Sequence, residues 1–140
     1  MVLNNCVNTG NVETTGSNAI LGGILAYGTG EISIKNSLNS GSINMVNPTN
    51  GEAAAGIFGE IDQNGYTNYC KSNEGNKNYE KLDDYSVTDS KVKIESCNNT
   101  GNISGVRHTG GIAGRMTGTV LEVTNCHISG TEDEKIIVQS

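Results

Sequence analysis

Leu3-Asn4-Asn5-Cys6-Val7-Asn8-Thr9-Gly10-Asn11-Val12 returns as Ile34-Lys35-Asn36-Ser37-Leu38-Asn39-Ser40-Gly41-Ser42-Ile43 and again as Ile94-Glu95-Ser96-Cys97-Asn98-Asn99-Thr100-Gly101-Asn102-Ile103. A fourth copy begins Val123-Thr124-Asn125-Cys126-His127-Ile128-Ser129-Gly130 and then decays. Self-similarity of this kind marks a chain built from stacked units, each too small to bury its apolar face alone. Three residues before the Cys/Ser anchor stands Leu3, Ile34, Ile94 or Val123, and two further back Met1, Ile32, Val92 or Leu121. That is one face of an alternating strand. Four residues after the anchor comes Gly10, Gly41, Gly101 or Gly130, each preceded by Thr or Ser. Hydroxyl-then-Gly is turn chemistry, in which the glycine is free to take positive φ. The chain then resumes with Val12, Ile43 or Ile103.

A second block lies between these segments. Gly22-Gly23-Ile24-Leu25-Ala26, Ala55-Gly56-Ile57-Phe58-Gly59 and Gly110-Gly111-Ile112-Ala113-Gly114 align without gaps. Small residues around one central Ile point to close backbone approach at a corner or between coils. Each unit therefore reads as strand, Thr/Ser-Gly turn, strand, loop, Gly-Gly-Ile strand and turn. The anchors are spaced 31, 60 and 29 residues apart, so the doubled gap holds an insertion, assigned to 66–91. Tyr69-Cys70-Lys71-Ser72-Asn73-Glu74-Gly75 half-matches the anchor pattern there, but nothing after it follows.

Composition agrees with this reading. Of 140 residues, 30 are Ile, Leu, Val or Phe, too few for the core of an ordinary two-layer domain. Stacked coils need less, because each buries a narrow stripe against its neighbours. Nineteen Gly and nineteen Asn against one Pro, one Phe and no Trp disfavour helices. Ile and Val together outnumber Leu by 23 to 6, which favours strands. The expectation is an all-β fold, a parallel β-helix or β-solenoid of about four coils with one insertion. Residues 1–140 form a single repeat domain, read as a fragment of a larger protein.

The pairing of Asn-Cys-x-Asn-Thr-Gly-Asn-Val with a following Gly-Gly-Ile-x-Gly resembles the GLUG-motif repeats of bacterial cell-surface proteins. These include adhesin-like proteins and the N-terminal repeat regions of IgA-cleaving metalloproteases. The resemblance covers roughly residues 1–61 and 91–130. It implies export, an extracellular or cell-surface setting, and a scaffold acting as a spacer or adhesive segment. A host glycan or extracellular-matrix protein is the expected partner, beside neighbouring repeats of the same chain. Any export signal or anchor is expected outside this sequence.

A net charge of −6 and a pI near 4.8 disfavour nucleic acid and anionic membranes as partners. No apolar run approaches the ~20 residues of a spanning helix, so membrane insertion is not expected. The Gly-Gly-Ile blocks lack the helix or Lys of a phosphate cradle. Cys6, Cys97 and Cys126 share one column with Ser37, which suits free, packed thiols better than a disulfide or metal ligands. His108 and His127 read as surface residues, and no metal or cofactor is expected. Asn8, Asn39 and Asn99 share a column in which stacked amides can bond coil to coil.

The carboxylates read as solvated turn charges. Glu60 and Asp62, at i and i+2, are the one pair placed to share a strand face, and so support the alternative of a carbohydrate-active β-helix, a polysaccharide hydrolase or lyase with acidic residues near the insertion. The expectation remains no enzymatic activity. The candidate ligand-binding residues lie in the insertion: Tyr66, Tyr69, Tyr79 and Tyr85, interleaved with Asp83 and Asp84. Tyrosine rings beside amides and carboxylates suit sugar or peptide recognition; the same rings could instead cover a thin core.

Overall fold

In the computed structural model the chain is described over residues 1–46, 53–62, 90–105, 107–117, 119–129 and 138–139. It winds into stacked coils. The first carries β1 (Val2–Asn4), β2 (Val7–Asn8), β3 (Val12–Thr14), β4 (Ile20–Gly22) and β5 (Leu25–Gly28). The second repeats these as β6 (Glu31–Lys35), β7 (Leu38–Asn39), β8 (Ile43–Met45), β9 (Ala53–Ala55) and β10 (Phe58–Asp62). The third supplies β11 (Ser90–Glu95), β12 (Asn98–Asn99), β13 (Ile103–Ser104), β14 (Thr109–Gly110) and β15 (Ala113–Thr117). The fourth contributes β16 (Thr119–Thr124), β17 (His127–Ile128) and β18 (Val138–Gln139).

Each strand pairs in parallel with its counterpart one coil away, in the orders β1-β6-β11-β16, β2-β7-β12-β17, β3-β8-β13, β4-β9-β14 and β5-β10-β15-β18. This is the all-β parallel solenoid expected from the repeat. The registers follow the sequence columns: Leu3, Ile34, Ile94 and Val123 stack, as do Val12, Ile43 and Ile103, and Gly22, Ala55 and Gly110. The insertion leaves between β10 and β11. Ser90 and Lys91 already belong to β11 and pair with coil four, so the third coil begins two residues before the boundary set by the repeat alignment.

Inside, the larger apolar cluster joins the first and fifth sheets, with Ile32, Ile34, Val92 and Ile94 facing Ile57, Phe58, Ile61 and Ile112. A smaller cluster of Leu21, Ile43, Met45, Ala54 and Ile103 lies between the third and fourth sheets. Both are built from several columns, each column contributing one side chain per coil. At ~25 cal/mol per Å2 of apolar surface removed from water, such a column gains its stabilisation only by stacking.

The corners reveal how the turns are made. Asn5, Asn36, Ser96 and Asn125, each just before the Cys/Ser anchor, have φ of 56°, 49°, 54° and 52°. The left-handed residue at this corner is thus Asn or Ser rather than glycine. Asn visits this region more readily than other side-chain-bearing residues, since its short amide bonds locally. Here Asn36 Nδ2 donates to Asn4 Oδ1 of the coil beneath at 3.0 Å.

The glycines four residues after the anchor were expected to supply positive φ, and Gly10, Gly41 and Gly101 do not: among the described glycines only Gly30, at 76°, lies in that region. For Gly41 and Gly101 the reason is contact. A Cβ on Gly41 would be driven into the carbonyl of Gly10, and one on Gly101 into the carbonyl of Gly41. Gly101→Val should therefore destabilise by more than the ~1–3 kcal/mol of ordinary overpacking, because the obstacle is backbone that cannot yield. Gly101→Ala should be nearly as damaging, which a purely conformational role would not produce at negative φ. Thermal unfolding of both variants checks this.

Ser96 is the least suited member of the left-handed column. Ser96→Asn should raise stability by a few tenths to about 1 kcal/mol, and Ser96→Val should lower it, as read from denaturant unfolding midpoints.

Candidate functional site

The six residues singled out for ligand binding, Tyr66, Tyr69, Tyr79, Tyr85, Asp83 and Asp84, lie outside the described residues, as does Cys70. What the structure does describe is a set of polar columns running along the stack, one residue per coil.

The central one is the expected Asn ladder. Asn8 Nδ2 donates to Asn39 Oδ1 at 2.7 Å, and Asn39 Nδ2 donates to Asn99 Oδ1 at 2.7 Å. Each amide also donates to the carbonyl of the glycine two residues ahead, Gly10, Gly41 or Gly101, at 2.9 to 3.0 Å. Asn39 and Asn99 are fully buried. Opposite them stand the second glycines of the Gly-Gly-Ile blocks. A Cβ on Gly23 would overlap the Asn39 carboxamide and the Gly56 carbonyl, and one on Gly56 the Asn99 carboxamide and the Gly111 carbonyl. The two motifs noticed separately in the sequence are the two sides of one contact.

The anchor column works by a related device. Ser37 Oγ donates to Lys35 O at 2.7 Å and accepts the Cys6 N–H at 3.2 Å. Cys97 Sγ lies 3.4 Å from Glu95 O and Cys126 Sγ 3.4 Å from Thr124 O, while the Cys97 N–H donates to Cys126 Sγ at 3.4 Å. A thiol or hydroxyl reaching two residues back fulfils the same role, which is why Ser37 can stand in a column otherwise filled by Cys. Cys6, Cys97 and Cys126 are free. Burial pushes the Cys97 thiol above its ordinary range, so it remains neutral and weakly nucleophilic at neutral pH.

Glu60 departs from the expected solvated charge. It sits on β10 in register with Tyr27 and Arg115, is only 4% exposed, and its Oε1 accepts Arg115 Nη1 at 3.2 Å. The partner lies 55 residues away, so no local pattern could show it. Asp62 ends the same strand, two residues on. A carboxylate held by a guanidinium in this way is suited to fixing two coils together; it is poorly placed to donate a proton to a leaving group.

The outer face of the β1-β6-β11-β16 sheet carries a shallow depression of about 360 Å3, with Ser33, Lys35 and Lys93 in its lining. Lys35 and Lys93 both pair with Glu95, at 3.3 and 3.6 Å. These lysines, Lys35 foremost, hold the partly exposed Glu95 carboxyl below its usual range. With Lys91 set against Glu31 and Glu122, the face is mixed in sign and open, unlike the concave apolar clefts that enclose small ligands.

His127 is exposed on β17, its neighbour Cys126 pointing the other way. His108, expected at the surface, is half-buried with φ of 35°, and its carbonyl accepts the Ala54 N–H. Among the described residues no three His, Cys, Asp or Glu side chains come together as a metal site would require, and no helix is long and apolar enough to cross a membrane.

Asn39→Ala would orphan the Asn8 amide on one side and the Asn99 carbonyl oxygen on the other. At about 1–3 kcal/mol per unsatisfied buried group, the loss should reach several kcal/mol. Asn8→Ala, at the open end of the ladder, should cost clearly less. Equilibrium urea unfolding of the two variants tests the asymmetry.

No family model, no curated protein and no solved structure matches this chain.

Proposed function

We propose that this chain is a non-catalytic repeat module of a bacterial surface or secreted protein, serving as a structural spacer or adhesive segment. The observation that carries this reading is the continuous column Asn8–Asn39–Asn99, packed against the Gly23 and Gly56 column. The residues that define the repeat are occupied in joining one coil to the next, which is the chemistry of a scaffold. The resemblance to GLUG-motif repeats supports the same reading and an extracellular location, and the tyrosines of the insertion support a host glycan or extracellular-matrix protein as partner. The pairing of Glu60 with Arg115 weighs against a polysaccharide hydrolase or lyase built on the acidic residues beside the insertion.

Adhesion would fall to the tyrosine-rich insertion. On a glycan and extracellular-matrix array the parent protein should give a discrete hit, abolished by Tyr79→Ala with the melting temperature nearly unchanged. Marked destabilisation by Tyr79→Ala with no hit for the parent would leave the spacer role alone. Release of reducing ends from any polysaccharide by the parent would overturn the non-catalytic reading.

A further inference from the structure

The two ends of the ladder are built differently. Towards coil four the ladder stops, because Ile128 stands in register with Asn99 and has no amide to pass on. Towards the other end it is left open at three places. Asn39 Oδ1 and Asn99 Oδ1 each accept an amide N–H from the coil beneath, whereas Asn8 Oδ1 receives the local Gly10 N–H at 3.2 Å. Gly41 and Gly101 must lack a Cβ because the carbonyl of the coil beneath occupies its place; a Cβ on Gly10 would meet nothing nearer than Asn8 Oδ1 at 3.8 Å. The Leu38 and Ser40 amides donate to Cys6 O and Asn8 O, and the Asn98 and Thr100 amides to Ser37 O and Asn39 O. Their coil-one counterparts are the amides of Val7 and Thr9, on the edge itself, beside an exposed Val7 side chain.

Coil one thus presents every feature that receives a coil beneath, including a glycine that its present surroundings do not require. We propose that this edge is a docking surface for one further coil of the same repeat, joined in register ahead of Met1. That coil would offer an Asn carboxamide to Asn8 Oδ1 and a backbone carbonyl beneath Gly10. Such pairing is β-augmentation, with the ladder setting its register. Coil four of a second copy fits poorly, since it would set Ile128 against Asn8. The inference rests on the reading of the chain as a module among neighbouring repeats.

The test is a chain in which a second copy of residues 90–120 is fused ahead of Met1. The pairing of Val92 with both Ile32 and Leu121, and of Val2 with Ser33, puts Met1 where Leu121 normally follows Val120. The extended chain should melt in one transition at a higher temperature than the parent, with the Val7 and Thr9 amides changing from fast to protected hydrogen exchange. Gly10→Ala should be silent in the parent and should lower the melting temperature of the extended chain, as Gly41→Ala does in the parent. A melting temperature no higher than the parent's, continued fast exchange at Val7 and Thr9, or a Gly10→Ala variant silent in both chains would overturn the proposal. So would concentration-dependent self-association of the parent that Gly10→Ala abolishes, since the edge would then be taken by a second copy. These readouts are independent of ligand binding and catalysis, so a polysaccharide-cleaving activity would defeat the scaffold reading and leave this result standing.

Discussion

The buried carboxamide column packed against bare glycine backbone sets the dimensions of everything else. A primary amide has two donors and an acceptor with two lone pairs, so Asn39 can bond its own turn, the coil above and the coil below at once. It can do so only if the coils sit one strand spacing apart and in exact register. The opposite wall must also come close enough to exclude water, which requires the missing Cβ atoms of Gly23 and Gly56. An amide buried without those bonds would cost more than the column gains. The ladder therefore selects among packings more strongly than it stabilises any one of them.

With the interior fixed in this way, the apolar residues fall into two thin clusters, and the chain folds with few large side chains. Phe58 is the single Phe, and it reaches towards Gly28, where a Cβ would collide with Ile32. Specificity comes from columns of small, polar and β-branched residues, each repeating the same contact with its neighbour.

The sequence displayed the columns clearly because parallel in-register stacking places equivalent residues on top of one another. Strand faces, coil number, the Asn ladder and the small-residue corner could all be read from aligned copies. The role of a given column was harder to read. Glycine serves both positive φ and close approach, and the alignment cannot separate the two; Gly41 and Gly101 proved to be the second kind, while the left-handed position fell to Asn5, Asn36, Ser96 and Asn125. Variation within that column, Asn to Ser, was the available signal, since only a backbone requirement unites those two side chains at an exposed corner. The Glu60–Arg115 pair was invisible for another reason: it joins two coils across the insertion and occurs once, so no column announces it. The tyrosines of the insertion belong to no repeat, and column logic says nothing about them.

The bonds of the ladder and of all five sheets run along the stacking axis, while the chain itself runs around it. Tension applied at the two ends of such a molecule concentrates on the outermost coil and peels it away before the next is disturbed. Each coil without the insertion, at about 30 residues and ~3.3–3.6 Å per residue, adds on the order of 100 Å of contour length on release, where the folded coil occupied about 4.8 Å of height. A stack bonded in this way yields in discrete steps under force and rewinds when slack returns, absorbing a sudden pull in instalments.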